Sequence, residues 1–314
     1  MHNISEDSSL KRALGPLWHL FVDPTVYTIC VDSFNEVYYY QNNEAKPLPD
    51  AFESSGNLEA MVEKLINHSG KVITPELKSL SISLDEYTRV NFVFPPVSVK
   101  GTSILINKLP KQEVTLSDLV KYGALEDDGR KIIENAIELG CGILIAGNPG
   151  SGKITLLNTL VESIPQPRRV ITVERYSDLI IKRPKVCRLQ TQYQTAAEMV
   201  ELVNLAERLF PEYLVLPECY GPEVMPYLEL VRNNCSGMAL ITGENSLDAL
   251  KRLETKAVLS SEGMSLEDAR YAISQSFELV IFQEKRKNGK RLVSSIAEIV
   301  YDSGELKLKV LYKK

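Results

Sequence analysis

With 314 residues, 44% of them hydrophobic and 25% charged, the chain has the composition of an ordinary soluble protein with room for two domains. Its formal net charge of -5 argues against bulk nucleic-acid binding, which takes a basic footprint, so no nucleic-acid partner is expected. Five widely spaced cysteines without a C-x-x-C pair support neither a disulfide framework nor a zinc site, and they fit a reducing, cytoplasmic setting.

The opening MHNISEDSSLKRALG carries no signal-peptide core, and no apolar run approaches the ~18 residues that a membrane helix takes. Four stretches are expected: an N-terminal extension (1–15), an α+β domain (16–111), a linker (112–129) and a larger α/β domain (130–314). YTICVD (27–32) and EVYYYQ (36–41) are β-branched and aromatic runs split by a short turn, which predicts a hairpin. NLEAMVEKLINHSG (57–70) sets Leu58, Met61, Val62, Leu65 and Ile66 on one stripe. That predicts a helix with Asn57 as N-cap and Gly70 as stop. LKSLSISL (77–84), RVNFVFPP (89–96) and SILINKLP (103–110) return to strand-like patterns, and KQEVTLSDLVKYGAL (111–125) reads as the bridge.

From RKIIENAIELG (130–140) the pattern alternates helix and strand. GILIAG (142–147) is wholly apolar, as a buried parallel strand should be, and ITLLNTLVESI (154–164) follows as a helix. RRVITVE (168–174), EYLVLPE (212–218) and MALITGE (238–244) read as further buried strands, with TAAEMVELVNLAERLF (195–210) as an intervening helix. The alternation predicts an α/β fold with a parallel sheet covered on both faces. Asn288-Gly289 marks a hairpin near the end, and the surrounding KRKNGKR (285–291) reads as a solvated edge.

The chemistry concentrates in AGNPGSGKITLL (146–157). Gly147, Asn148, Pro149, Gly150, Ser151, Gly152 and Lys153 fit G-x-x-x-x-G-K between an apolar strand and a helix. In that setting backbone N–H groups and the helix N-terminus cradle phosphates, and Lys153 reaches them as a point charge. The next position, where a hydroxyl would ligate Mg2+, is Ile154. Thr155 follows, but one helical step turns its side chain about 100° away. Mg2+ therefore loses its customary protein ligand. The three histidines, His2, His19 and His68, leave no histidine chemistry beyond residue 68.

TRVNFVFPP (88–96), GILIAGNPGSGKITLLNTL (142–160), VITVE (170–174), FPEYLVLPECYGPE (210–223) and NSLDALKRLE (245–254) stand in the order seen in the secretion-ATPase superfamily. These are the ring-forming motors of type II and type IV secretion and of type IV pili. The chain resembles them over residues 16–312, most nearly the CpaF-like branch that drives Tad/Flp pili. The resemblance implies a P-loop (RecA-like), mainly parallel sheet with flanking helices, behind a smaller N-terminal α+β domain. It implies ATP (or ADP) in the loop Gly147–Thr155 and a ring of six like or related subunits. It also implies an inner-membrane platform protein as partner, at the cytoplasmic face of the membrane. Glu174 matches the family's acidic box, and Glu218 matches the carboxylate closing the Walker B strand, which would orient the attacking water. Arg89 is a candidate phosphate or interface contact.

The departures are several. Arg175 stands where the acidic box ends in aspartate, Tyr220 and Asn107 replace two arginines, and Cys235 and Gly243 replace two histidines. LSSEGMS (259–265) faintly matches the signature of ABC-type ATPases, but it follows Glu218 where that signature would precede it. Ser265 reads instead as a helix N-cap, with Glu267 and Asp268 in the first turn. Losing one oriented catalytic group costs on the order of 10²–10³ in rate, and such groups act as a unit. The preferred expectation is a degenerate ring subunit that binds nucleotide, hydrolyses it weakly or not at all, and serves as a structural or regulatory part. The alternative is an active motor driving secretion or pilus assembly.

Overall fold

The computed structural model describes residues 8–42, 44–74, 77–109, 113–192 and 195–314. Two compact units divide the chain at Gln112/Glu113.

In the first unit, α1 (Ser8–Leu14) passes through a 3-10 turn into α2 (Trp18–Val22). Then come β1 (Val26–Ser33), β2 (Glu36–Gln41), β3 (Glu44–Pro47), α3 (Ser55–His68), β4 (Ser79–Asp85), β5 (Thr88–Val93) and β6 (Ser103–Lys108). Among the described residues the strands form an antiparallel sheet in the order β3-β2-β1-β6-β5-β4. The hairpin expected at 27–41 forms, with Val31 opposite Val37. Helix α3 buries the five stripe residues against the core. Its cap is Ser54 rather than Asn57: the Ser54 hydroxyl accepts from the Asn57 N–H, so the helix begins earlier than its apolar stripe. The extension expected over 1–15 is folded from Ser8 onward, because Leu10, Ala13 and Leu14 of α1 lie buried in the same core.

The second unit opens with α4 (Leu116–Lys121) and α5 (Asp127–Leu139). After them run β7 (Ile143–Gly147), α6 (Lys153–Ser163), β8 (Val170–Glu174), β9 (Val186–Gln190), α7 (Ala196–Glu207), β10 (Tyr213–Leu216) and α8 (Val224–Asn234). The chain finishes with β11 (Ser236–Thr242), α9 (Ser246–Leu259), α10 (Leu266–Ser276), β12 (Leu279–Lys285), β13 (Arg291–Asp302) and β14 (Glu305–Lys313). The sheet order is β14-β13-β12-β7-β11-β10-β8-β9, parallel from β12 to β9 and antiparallel at β13 and β14. Alternate residues of each central strand feed two cores. Leu144 and Ala146 of β7 join the cluster built with α7, α8, α9 and α10, whereas Ile143 and Ile145 join the one built with α4, α5 and α6. Both faces are covered, which is why these strands read as unbroken apolar runs.

The linker expected over 112–129 is not a linker from Glu113 on. Thr115 and Asp118 close a capping box at α4, and Leu116, Leu119 and Leu125 are buried in the core of this unit. No helix among the described residues is long and apolar enough to cross a membrane. The parallel arrangement brings the carboxyl ends of β7, β8, β10 and β11 to one edge, where ligands of open α/β sheets bind.

Candidate phosphate-binding site

Strand β7 delivers the chain into a loop that only its glycines permit. Gly147 pairs with Gln283 of β12 so closely that a Cβ would stand 2.1 Å from the Gln283 carbonyl oxygen. Gly150 and Gly152 hold φ of 71° and 92°, in the left-handed region. Gly152 caps α6 without a side-chain hydrogen bond, leaving the first N–H groups of the helix for an anion. Lys153 Nζ donates to the carbonyls of Gly147 at 2.8 Å and Asn148 at 2.9 Å. Burial lowers its pKa, and the charge of Glu218 pulls the other way. An ammonium held this way over its own loop can exchange carbonyls for phosphate oxygens. The cradle therefore fits a nucleotide's phosphates.

Two contacts that the sequence did not announce brace the loop. Gln283, which follows the apolar run Leu279–Phe282 of β12, donates from Nε2 to Ser151 O at 3.1 Å, and Arg291 of β13 donates from Nε to Gly150 O at 2.9 Å. Ser151 Oγ and Gln283 Oε1 are both buried without a hydrogen-bond partner beneath the loop.

Magnesium does not fit as the phosphates do. The Ile154 side chain packs against the cluster of Leu156, Leu157 and Leu160, so the position that should offer a hydroxyl offers a hydrocarbon. Thr155, one position on, is half-buried in the same first turn of α6. Among the described residues no group of three or more His, Cys, Asp or Glu side chains could hold a metal ion.

Glu174 ends β8 with 1% of its surface exposed, and its carboxylate is fully engaged. Arg188 of β9 donates from Nε at 2.8 Å and from Nη2 at 2.7 Å, the Thr172 hydroxyl donates at 2.7 Å and the Leu179 N–H at 3.3 Å. A carboxylate holding four donors is spoken for as a structural anion, which leaves little of it to orient a water. The sequence placed Glu174 in the site but carried no sign of Arg188 as its partner.

Glu218 follows β10 by two residues. The hydrogen bond it takes from the Tyr220 hydroxyl, aided by burial, pushes that phenol up to about 12. Two cations flank the Tyr220 ring, with Arg175 at 5.2 Å and Lys256 at 5.5 Å from its centroid, and Lys256 also donates to the Tyr220 carbonyl. The turn itself is pinned by Glu223, fully buried, which accepts from the N–H groups of Tyr220 and Gly221. Gly243, where the family's second histidine would stand, has no room for a side chain. A Cβ there would lie 2.9 Å from the Cα and backbone N of Ala249 in α9, and the Gly243 N–H donates to Gly147 O. Cys235 caps the C-terminus of α8, with burial pushing its thiol up to about 12.

The second unit thus gathers the loop Gly147–Thr155, Glu174 and Glu218 at one sheet edge. Arg89 belongs to the first unit, on β5 between Ser83 and Asn107. Asn107 has its own local task, accepting from the Thr28 hydroxyl at 3.1 Å.

A family model described as type II/IV secretion system protein matches residues 73–294. The type IV secretion system protein PtlH of Bordetella pertussis is 26% identical, across 88% of this chain and 90% of that protein. The structure of the ATPase DotB of Legionella pneumophila aligns with a TM-score of 0.64 at 18% identity, covering 92% of this chain and 80% of that one. That of the pilus retraction motor PilT with bound ADP gives 0.62 at 15% identity, covering 87% of this chain and 79% of that one. At such identities the two structures speak for the fold alone.

Proposed function

Since this chain belongs to the type II/IV secretion system protein family, we propose that it is a nucleotide-binding subunit of such a machine in which hydrolysis is weak or lost. It serves there as a structural or regulatory part. The carrying observation is the split between adjacent residues at the loop. Lys153 is poised over its carbonyls to meet a phosphate, while Ile154 lays a half-buried hydrocarbon against the core where a metal-binding hydroxyl belongs. The engagement of Glu174 by Arg188 supports the same reading. ATP or ADP is the ligand proposed, in keeping with the ADP bound by PilT. Like or related subunits in a ring, and a platform protein at the cytoplasmic face of a secretion or Tad/Flp-type pilus apparatus, are the partners proposed.

A second reading, an active motor, draws on Glu218, whose position after β10 lets its charge act on Lys153. Steady-state phosphate release from purified protein with ATP and Mg2+, beside nucleotide affinity by calorimetry, separates the two. The proposal expects binding that Lys153→Ala abolishes and turnover near background. Turnover at motor rates that vanishes in both Lys153→Ala and Glu218→Gln would establish the motor instead.

A further inference from the structure

The loop is shaped for a polyanion, yet the hydroxyl that would bring a divalent cation to it is absent. A guanidinium stands at the same sheet edge. We propose that Arg175, together with Lys153, supplies the counter-charge for a bound nucleoside triphosphate, so that this chain binds nucleotide without a divalent metal. The inference rests on the nucleotide reading above and adds to it what neutralises the phosphates.

Arg175 is the first residue past the carboxyl end of β8, at the edge where the phosphate loop also ends its strand. A chain of contacts links it to the loop. Its guanidinium lies 5.2 Å from the centre of the Tyr220 ring. The Tyr220 hydroxyl bonds to Glu218, and Glu218 acts electrostatically on Lys153.

Arg175 rests on an aromatic ring rather than on a carboxylate. Among the described residues no carboxylate pairs with it, and its Nε is buried without a hydrogen-bond partner. The neighbouring Arg188, by contrast, is spent on Glu174. An arginine resting over an exposed aromatic ring with no carboxylate to hold it keeps guanidinium donors for a planar or tetrahedral oxyanion.

The local charge has the matching sign. Lys153 feels the charge of Glu218, and Arg175 and Lys256 flank the adjoining Tyr220 ring, so three cations outnumber the carboxylates of Glu218 and Glu223 beside a loop whose N–H groups already favour anions. A divalent cation placed there would meet a net positive charge and no hydroxyl ligand at Ile154, while a free triphosphate would be drawn by the same net charge.

Calorimetry with ATP and ADP, each in EDTA and in Mg2+, tests this on wild type, Arg175→Gln, Arg175→Lys and Lys153→Ala. Gln keeps the length of the side chain without its charge, and Lys keeps the charge, so a folding defect in one does not leave the question open. The wild type is expected to bind ATP in EDTA within about threefold of its affinity in Mg2+. Arg175→Gln should weaken ATP binding in EDTA at least tenfold, ADP less, and Arg175→Lys should recover part of the loss. Wild-type binding that falls tenfold or more on removal of Mg2+, or that ignores Arg175→Gln while Lys153→Ala abolishes it, overturns this inference alone. No nucleotide binding in either condition overturns the nucleotide reading and this inference with it.

Discussion

Replacing Arg188 by methionine takes two donors and a positive charge from a carboxylate that is 1% exposed. Breaking a buried pair from one side costs about 3–5 kcal/mol, because the charge left behind keeps its desolvation penalty. Arg188 is itself 35% exposed, so water can enter the space it leaves, and Thr172 and Leu179 still donate to Glu174. About 2–4 kcal/mol is therefore the expected loss. For a unit the size of Glu113–Lys314 that corresponds to roughly 5–12 °C in Tm. Urea denaturation at neutral pH, followed by circular dichroism, measures it. Glu174→Gln should cost less, since the stranded guanidinium can reach solvent, and should leave nucleotide affinity within threefold. The double variant Glu174→Gln/Arg188→Met should be more stable than the sum of the two single losses predicts, with a coupling of at least about 1.5 kcal/mol. If Arg188→Met melts within about 0.5 kcal/mol of wild type, or if the two losses simply add, Glu174 is not the structural anion described here.

Gly243→Ala should destabilise by about 1–3 kcal/mol, because its Cβ meets the α9 backbone at 2.9 Å; thermal melts read this directly. Lys153→Met should melt no lower than wild type without nucleotide, and nucleotide should no longer raise its Tm. The sign follows from burial, which lowers the Lys153 pKa below its unfolded value. The charged form is thus penalised in the folded state, and wild-type stability should gain as pH rises through the folded pKa toward the ordinary lysine range, a gain absent from the variant. Cys219, buried and with its pKa raised, and Cys235, pushed up to about 12, should resist iodoacetamide at pH 8 in the native protein and react on unfolding, as peptide mass spectrometry would show.

The strands of the second unit were legible because a sheet covered on both faces demands apolar residues at every position, as in Ile143–Gly147 and Val170–Glu174. Strand β9 was not, since it lies at the sheet edge and Val186–Gln190 is only partly buried. Helix α8 hid behind Pro226, which sits harmlessly in a first turn that needs no intrahelical donor. Helix α1 passed for an extension because its seven residues are too few to display a period. At the site, the loop could be read because glycine chemistry is local. Its braces could not be: Gln283 and Arg291 lie 132 and 141 positions from the carbonyls they bind, and only the fold brings them there. The engagement of Glu174 was equally invisible, since it depends on the register that sets β9 beside β8.

The altered positions are consistent with one another as a set. With no hydroxyl after Lys153 to ligate a cation, an aspartate at 175 would repel a bound polyanion with nothing between them. A guanidinium at 175 removes that repulsion, and an aromatic ring at 220 gives it a surface to rest on. The same ring's hydroxyl takes up Glu218, and its carbonyl takes up Lys256. Meanwhile Gly150 and Gly152 hold backbone angles that other residues adopt only under strain. A glycine-shaped loop beside rearranged charges is what the proposed site, gripping phosphate without a metal, would present.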